Sequence, residues 1–316
     1  MTPPYTITPQ ILTLLTDVSH KIGEVNASFI TKQSPELRKR NRIRTIHASL
    51  AVEGNTLSIE QVTAIIDNKK VLGPAKDIQE VSNAIEVYDQ LKQFNPYSEK
   101  SFLQAHKILM QGLTKDAGKY RNRGVGIVKG SQLAHLAPPA SNVAFLMKDL
   151  FKYLKTDVQM LVKSCVFHYE MEFIHPFSDG NGRMGRLWQT LLLMQKYPVF
   201  EFLPFETLIS KHQEKYYQAL ATSDKQAEST FFIAFMLQIL NESFDELLTE
   251  RVGPISSEQR IRIFLSTGIK AFTRKTYMDY FKTISSATAS RDLLEAVNKN
   301  LVKKTGEKNK TMYQVD

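Results

Sequence analysis

Apolar residues recur along most of this chain at the three- and four-residue spacing of an amphipathic helix. Residues 143–154 follow this spacing, with Ser141 in the position of an N-cap. Residues 161–174 and 231–249 predict two further helices, and residues 184–196 are apolar almost all round, as in a helix at the centre of a core. The chain is therefore predicted to be mainly α-helical.

Residues 118–139 interrupt the helical pattern. Apolar residues at 125–128 and 133–136 flank the turn-forming pair Gly130-Ser131, which predicts a short β-hairpin. A lone hairpin is only marginally stable in water. We therefore expect this one to pack on the helices, either beside a site or as a plain surface feature.

The C-terminal part of the chain has a different organisation. Gly253-Pro254 and the polar residues after it predict a domain boundary. Short helical and extended segments follow, at residues 257–267, 274–282, 287–299, 301–304 and 311–315. Three helices and a small hairpin predict a winged helix-turn-helix at residues 254–316.

Composition narrows the class of protein. The chain has 316 residues, of which 42% are hydrophobic, enough for two or three domains and too many for wholesale disorder. Its single cysteine, Cys165, excludes an internal disulfide and a cysteine-based zinc site. No apolar run approaches the ~20 residues of a membrane span, and the N-terminus lacks the features of a signal peptide. We therefore expect a cytoplasmic protein without a membrane partner.

The net charge of +9 is unevenly distributed. Residues 255–316 hold 12 Lys/Arg and 6 Asp/Glu, a net of +6, which leaves +3 for the first 254 residues. Arg291 and Lys299 lie on or near the third helix of this region, a placement that suits DNA phosphates. Asp292 and Glu295 share that helix, so a protein partner is supported equally well, and a basic surface without any partner stays open.

The segment at residues 175–186, HPFSDGNGRMGR, carries the clearest chemistry. Pro176 ends the preceding helix at His175, and Gly180 and Gly182 permit a tight turn whose backbone N–H groups can bind an anion. The next helix adds its positive dipole end. Histidine ordinarily has a pKa near neutrality, so His175 is a candidate general base.

Two arginines reinforce the prediction of an anion site. Arg183 and Arg186 share one face of the first turns of a helix, where the dipole disfavours cations. A bound triphosphate would resolve this conflict, and Asp179 in the same loop could hold Mg²⁺ on it. The plainer alternative is a helix–loop–helix joint with a buried histidine and two surface arginines.

This segment resembles the signature loop of the Fic family, HPFx(D/E)GNGRxxR, at every fixed position. The resemblance extends through GKYR, APP and EKYYQAL to roughly residues 40–250. It implies a mainly α fold, with a Fic (fido) helical core at residues 101–253, a β-hairpin flap and the C-terminal winged helix. It also implies transfer of AMP from ATP, with Mg²⁺, onto a Ser, Thr or Tyr hydroxyl of a target protein.

The resemblance also assigns roles to residues. His175 would be the general base, Asp179 would bind Mg²⁺ and Phe177 would anchor the loop. The phosphates would be held by Gly180, Asn181, Gly182, Arg183 and Arg186. The flap that pairs with the target would comprise Ile127, Val128, Lys129 and Gly130. Tyr216 would line the adenine pocket. Asp224 stands where some members have Asn, which leaves the contacts to the base and the ribose open. Tyr217 and His168 are expected in the core.

One carboxylate continues an apolar stripe. Ile43, Ile46, Leu50 and Glu53 share a helix face, and Glu53 stands at the end where the dipole disfavours an acid. Residues 49–54 resemble the inhibitory motif (S/T)xxxE(G/N), here on a helix at about residues 43–54 of an N-terminal region at residues 1–100. The resemblance implies that Glu53 pairs with Arg186 and inhibits the enzyme. A partly exposed helix-end glutamate is the plainer interpretation.

Two alternatives to an inhibited adenylyltransferase stay open. In the first, the same site removes AMP, with the help of Glu53. In the second, the chain is a DNA-binding regulator whose Fic core senses a nucleotide. His175 favours an enzyme, because sensing requires no general base. The oligomeric state, a homo-oligomer included, and the target protein are left open.

Overall fold

The computed structural model describes residues 3–27, 35–124, 126–129, 132–251, 257–265, 267–281, 284–306 and 311–315. Residues 1–247 form one unit and residues 248–316 a second. The predicted division between residues 100 and 101 therefore does not separate two units. Gly253 and Pro254, the predicted domain boundary, lie outside the described residues. None of the helices in the described ranges is long and apolar enough to cross a membrane.

The N-terminal unit is mainly helical, as predicted. Its helices are α1 (Pro9–Ala27), α2 (Pro35–Ala51), α3 (Ile59–Ile66), α4 (Ala75–Asp89), α5 (Glu99–Leu109), α6 (Ala140–Tyr153), α7 (Met160–Ile174), α8 (Asn181–Met194), α9 (Glu206–Lys211), α10 (Gln213–Gln226) and α11 (Thr230–Arg251). Two short 3-10 helices cover Leu91–Gln93 and Pro198–Glu201.

Helices α7 and α8 lie at the centre of this unit. Twelve of the 14 residues of α8 are buried, which explains why its sequence is apolar on nearly every face. Trp188, fully buried on α8, donates its indole N–H to the Pro96 carbonyl at 3.0 Å. The loop between α7 and α8 therefore connects two largely buried helices.

Helix α2 carries the predicted apolar stripe. Ile43, Ile46 and Leu50 are all buried, and the helix ends at Ala51. Glu53 consequently stands in the turn just after the helix rather than within it, and Gly54 closes that turn with a φ of +87°. The predicted helix end near residue 54 is thus correct to within three residues.

Helix α6 begins one residue earlier than its predicted cap. Pro139 is the residue before the helix, and Ser141 lies inside its first turn, so the predicted N-cap at Ser141 is wrong. The physical reason is the proline, whose fixed φ directs the chain into the helix from its own position and which has no N–H group to satisfy.

The predicted hairpin is present between α5 and α6. Strand β1 (Gly126–Lys129) pairs antiparallel with β2 (Gln132–Leu136), with a bulge between Ile127 and Val128. In the described part of the unit these two strands form a sheet of their own.

The C-terminal unit has helices α12 (Ser257–Leu265), α13 (Arg274–Tyr280) and α14 (Ser286–Asn298) and strands β3 (Ala271–Phe272), β4 (Lys303–Thr305) and β5 (Met312–Gln314). The strands form an antiparallel sheet in the order β3-β5-β4. Phe264, Tyr277 and Leu293 are buried in a separate core of this unit. The elements match the segments from which a winged helix was predicted, and that assignment itself stays a prediction.

Candidate active site

His175 ends helix α7 in a left-handed backbone conformation. Its φ is +49°, and its N–H donates to the Met171 carbonyl at 2.9 Å. Pro176 disfavours the right-handed helical region at the residue before it, so the chain must leave the helix here. A positive φ costs a non-glycine residue about 1–3 kcal/mol, which the surrounding structure has to supply. The imidazole is half-buried at the edge of the loop.

Phe177 and Asn181 hold the loop in shape. The Phe177 ring is fully buried and stacks against Phe102, with 5.4 Å between ring centroids. The Asn181 amide accepts from the Phe177 N–H and donates to the Phe177 carbonyl, both at 2.9 Å. Both ends of the Asn181 side chain thus bind the loop itself rather than facing a ligand. The phosphate contact expected of Asn181 stays a prediction.

His106 on α5 supports the loop from below. Its ring stacks on Phe177 with 3.5 Å between centroids, and its Nδ1 accepts from the Gly118 N–H at 2.8 Å. Nε2 must then carry the proton and donate to the Asp179 carbonyl, 3.0 Å away. Burial lowers the pKa of His106 to about 4, so the ring stays neutral near pH 7.

Arg121 joins the loop to the hairpin. Its side chain is buried, and its backbone N–H donates to the Pro176 carbonyl at 2.9 Å. The guanidinium donates to the carbonyls of Arg123 at 2.8 Å, Pro138 at 2.6 Å, Ile174 at 3.3 Å and His175 at 2.7 Å. One side chain therefore fixes both ends of the hairpin segment and the backbone of the candidate base.

Sequence reasoning missed the roles of His106 and Arg121. Arg121 is the last residue of the GKYR segment, which is part of the family resemblance. The segment was therefore recognised, but no role was predicted for Arg121. His106 lies on the buried face of an amphipathic helix. Nothing in the local sequence distinguishes it there from an ordinary core residue.

Arg183 lies between two carboxylates. Nη1 is 3.0 Å from Glu80 Oε1, and Nη2 is 2.8 Å from Asp179 Oδ1. Arg183 and Glu80 are almost completely buried, whereas the Asp179 side chain keeps 49% of its exposure. Glu80 also accepts from the Asn55 amide at 2.9 Å, two residues after Glu53. The sequence analysis did not single out Glu80.

Arg186 is held by the end of helix α2. Its Nε donates to the Ser49 hydroxyl at 3.0 Å, and Nη2 donates to the Ser49 carbonyl and to Glu53 Oε1, each at 2.8 Å. A Cβ at position 182 would collide with the Glu53 carboxylate and lie 3.1 Å from Arg186 Nη1. Gly182 therefore lets Glu53 reach across the first turn of α8.

The charge of this pair is balanced internally. Burial of Arg186 by itself lowers its pKa, but the Glu53 carboxylate, together with Tyr216 and Glu172, more than compensates, so the pKa of Arg186 lies above its ordinary value. Arg186 is fully buried, while the Glu53 side chain keeps 28% of its exposure. The expected contact between Glu53 and Arg186 is present, and its inhibitory meaning is a separate question.

Tyr216 differs from its expected position. It is 1% exposed, and its hydroxyl lies 3.1 Å from Nε2 of the buried His168. Tyr217, expected in the core, is the more accessible of the two and donates to the Val52 carbonyl at 3.3 Å. The helical phase of α10 decides this, because it turns Tyr216 toward α7 and α11. His168 is a core residue, as expected.

Comparison with known proteins identifies the family of the chain that carries this site. The Fic/DOC family model matches residues 96–193, which include the whole signature loop. The crystal structure of a Fic family protein from Desulfovibrio desulfuricans G20 is 42% identical in sequence, with a TM-score of 0.78, and covers 100% of this chain and 98% of that one. The chain belongs to the Fic/DOC family.

More distant Fic relatives carry a named activity. Protein adenylyltransferase Fic from Culex quinquefasciatus is 26% identical over 222 residues, 66% of this chain and 42% of that protein. Protein adenylyltransferase fic-1 from Caenorhabditis elegans is 28% identical over 189 residues, 55% of this chain and 35% of that protein. This chain thus spans about two fifths of the length of these curated relatives.

The hairpin that was predicted to be the flap is linked to the signature loop through Arg121. Ile127, Val128 and Lys129 lie on β1, and Arg121 ties the segments on either side of the hairpin to the signature loop. Gly130, the fourth residue predicted for the flap, lies outside the described residues. The pairing of the flap with a target stays a prediction.

The Fic loop offers one carboxylate to a metal ion. Asp179 is half exposed, and among the described residues only its Oδ1 is engaged, by the Gly180 N–H at 2.6 Å and by Arg183. Mg²⁺ is commonly held by one or two carboxylates together with substrate phosphates. No group of three or more potential metal ligands occurs in the described ranges. The half-exposed Asp179 carboxylate therefore fits a metal ion that arrives with a nucleotide.

Proposed function

We propose that this chain is a protein adenylyltransferase, which moves AMP from ATP to a hydroxyl group of a target protein. The observation that carries the proposal is the loop at residues 175–186. It brings one accessible histidine and two buried arginines to the start of a single helix. The names of the relatives, which match this chain over part of their length, support the same reaction.

In this proposal His175 accepts the proton of the target hydroxyl. The hydroxyl oxygen then forms a bond to the α-phosphorus of ATP, the bond from that phosphorus to the bridging oxygen breaks, and pyrophosphate leaves. A neutral imidazole is required for the first step, and an ordinary histidine is largely neutral at pH 7. The hydrogen bond from Arg121 to the His175 carbonyl fixes the backbone that orients the base.

The signature loop would hold the nucleotide. The backbone N–H groups at the start of α8, including those at Gly180 and Gly182, would donate to a phosphate, as N–H groups at a helix N-terminus do. Arg183 and Arg186 would neutralise phosphate charge after release from their present partners. Asp179 would hold Mg²⁺, which neutralises charge on the phosphates when it is bound. Tyr216 is too deeply buried to contact adenine as it now stands, so we assign it no such role.

The flap would hold the target as an added strand. Strands β1 and β2 pair only with each other in the described part of the unit, so each has an open edge. An extended target segment can add to such an edge through main-chain hydrogen bonds. Arg121 would keep that segment in register with His175, because it anchors both the hairpin and the loop.

Glu53 would hold the activity down. Its carboxylate occupies Arg186, and Glu80 occupies Arg183, so neither arginine is available to a triphosphate in the present arrangement. A nucleotide that enters must compete with at least one of these ion pairs. The alternative reaction is the removal of AMP from a modified protein by the same site, with help from Glu53. The same geometry serves both reactions, and an experiment distinguishes them.

Label transfer tests the proposed reaction. The purified Glu53→Gly variant is incubated with Mg²⁺ and ATP labelled at either the α- or the γ-phosphate, and label bound to protein is measured. Transfer of α-label without γ-label is expected. Transfer of γ-label would show phosphoryl transfer instead and would overturn the proposal. If wild type releases AMP from protein that was first modified by the variant, removal is also an activity of the site.

A further inference from the structure

Helix α14 presents an outer face at whose edge the one partly exposed carboxylate, Glu295, is already paired with Lys299. Ala287, Ser290, Arg291 and Leu294 recur at helical spacing and are exposed, and Leu294 keeps 61% of its exposure. Ala289, Leu293 and Ala296 on the opposite face are buried in the core of the C-terminal unit. The outer face thus carries the small side chains of Ala287 and Ser290 toward the N-terminal end of the helix. Arg291 and Leu294 follow toward its C-terminal end.

The two acids of α14 are engaged within the unit. Asp292 is 1% exposed and accepts two hydrogen bonds from Arg260, at 2.6 and 2.7 Å, and a third from the Tyr277 hydroxyl at 3.1 Å. Glu295 lies 2.8 Å from Lys299, which also pairs with Glu258 at 2.7 Å. In sequence these acids weigh against an anionic partner. Their burial and pairing remove that objection.

Cations gather instead at the start of α13 and on the outer face of α14. Arg274, the first residue of α13, is exposed and donates to the Ser290 hydroxyl at 3.0 Å, which places it beside the outer face of α14. Lys275 and Arg291 are also exposed. None of these three residues has a carboxylate within ion-pair distance in the ranges that the structure describes. The acids Glu258 and Glu295 are already paired with Lys299.

The dimensions of helix α14 suit the major groove of a DNA duplex. A 13-residue helix is about 20 Å long and about 10–12 Å wide with its side chains, which suits the ~12 Å major groove of B-DNA. Small residues at 287 and 290 allow the helix backbone to approach closely. Arg274 and Lys275 flank the helix where phosphates would run.

We propose that the C-terminal unit binds duplex DNA, with the outer face of α14 in the major groove and Arg274, Lys275 and Arg291 against the phosphate backbone. Charge complementarity selects this partner over an apolar protein surface. The proposal does not depend on AMP transfer, because none of its residues belongs to the signature loop. It gives the chain a second activity, in a unit with its own hydrophobic core.

The test is a binding titration of the full chain without ATP. Fluorescein-labelled 30-base-pair duplex of mixed sequence is titrated by anisotropy at a series of salt concentrations, with a single strand of the same sequence in parallel. With three phosphate contacts log K should fall with a slope of about −2.7 against log salt, so a fourfold rise in salt weakens binding about 40-fold. The duplex should bind more tightly than the single strand.

Matched variants locate the surface. Arg274→Ala or Arg291→Ala should weaken binding and reduce the salt slope by about 0.9 for each phosphate that is no longer neutralised. Arg262→Ala removes the same charge from an exposed arginine paired with Glu258, and it should leave the slope unchanged. Absence of binding at low salt, or equal effects of all three variants, would overturn the proposal. Retained far-UV circular dichroism confirms that each variant is folded.

Discussion

Glu53 Oε1 and Arg186 Nη2 lie 2.8 Å apart, although 133 residues separate them in the sequence. The pair joins the turn after α2 to the second turn of α8. Because Arg186 is fully buried, its charge depends on this carboxylate and on Ser49. Glu53 thus stabilises the fold and at the same time occupies the Arg186 guanidinium, which a triphosphate would use.

Replacement of Glu53 by glycine should therefore move activity and stability in opposite directions. We expect auto-adenylylation from α-labelled ATP to rise roughly 30- to 1000-fold, if the restraint is worth about 2–4 kcal/mol. The melting temperature without nucleotide should fall, because Arg186 is then left without its only carboxylate within ion-pair distance in the described residues. Label transfer and thermal unfolding on the same preparations check both halves.

Two further variants control that experiment. Glu60→Gln removes an exposed acid at the start of α3. It should leave transfer unchanged and lower the melting temperature less than Glu53→Gly does, because it removes only a helix-start charge and a hydrogen bond to Ser58. Arg186→Ala combined with Glu53→Gly should abolish transfer, because Arg186 is also needed for the phosphates, so the two changes are strongly non-additive. If Glu53→Gly is no more active than wild type, the carboxylate is not inhibitory, and an assay on modified protein decides whether it serves AMP removal.

Substitution of His175 separates binding from chemistry. His175→Ala, made in the Glu53→Gly background, should bind ATP nearly as well as its parent and lose about 10²–10⁴-fold in the rate of AMP transfer. The reason is that the imidazole is proposed as the proton acceptor, while the phosphates contact other groups. Equilibrium binding of ATP and initial rates of label transfer measure the two effects. Undiminished transfer by this variant would remove His175 from the reaction.

Much of this site was predictable because its chemistry is local in the sequence. The loop from His175 to Arg186 is continuous, and proline, glycine and the paired arginines each carry a physical signal there. The position of Glu53 on an apolar stripe indicated a cationic partner, but only the family motif specified Arg186, since nothing local connects the two residues. Tyr216 and Tyr217 were interchanged in burial because adjacent aromatic residues give no helical phase of their own.

Tertiary contacts to backbone atoms explain the rest of what the sequence did not predict. Arg121 and His106 act on carbonyl and amide groups of distant loops, and every residue type has such groups. Glu80 differs, because its partner is the side chain of Arg183, but that partner lies 103 residues away and is equally hidden from the local sequence. A single sequence records the side chain but not the backbone that it will meet.

Arg121 should prove to be a positioning residue for the flap. Arg121→Lys keeps the charge but cannot reach four carbonyls at once. We expect amide hydrogen exchange to increase in residues 126–136 and at 175–177, with AMP transfer reduced and ATP affinity little changed. Arg123→Lys, which alters an exposed arginine of the same segment, is the control. Unchanged exchange in the hairpin would contradict the coupling.

His106 should contribute to the acid sensitivity of the fold. Burial lowers its pKa to about 4 in the folded chain, against about 6.5 when unfolded, so the unfolded state binds more protons between these values. Stability supplied by neutral His106 is therefore complete above pH 6.5 and is lost as the pH falls toward 4. His106→Gln cannot take up this proton. The difference in unfolding free energy between wild type and the variant should shrink by about 1.4 kcal/mol per pH unit across this window.

The difference between the two proteins is the quantity to measure, because other buried groups titrate in the same range. Burial raises the pKa of Glu170 and Glu206 to about 7, so these acids favour the folded state as the pH falls. Their contribution is common to wild type and His106→Gln and cancels in the comparison. Denaturant unfolding at half-unit steps from pH 7 to pH 4 gives the required values. A difference that stays constant with pH would mean that His106 is not neutral beneath the loop. Nδ1 would then carry a proton and could not accept from the Gly118 N–H.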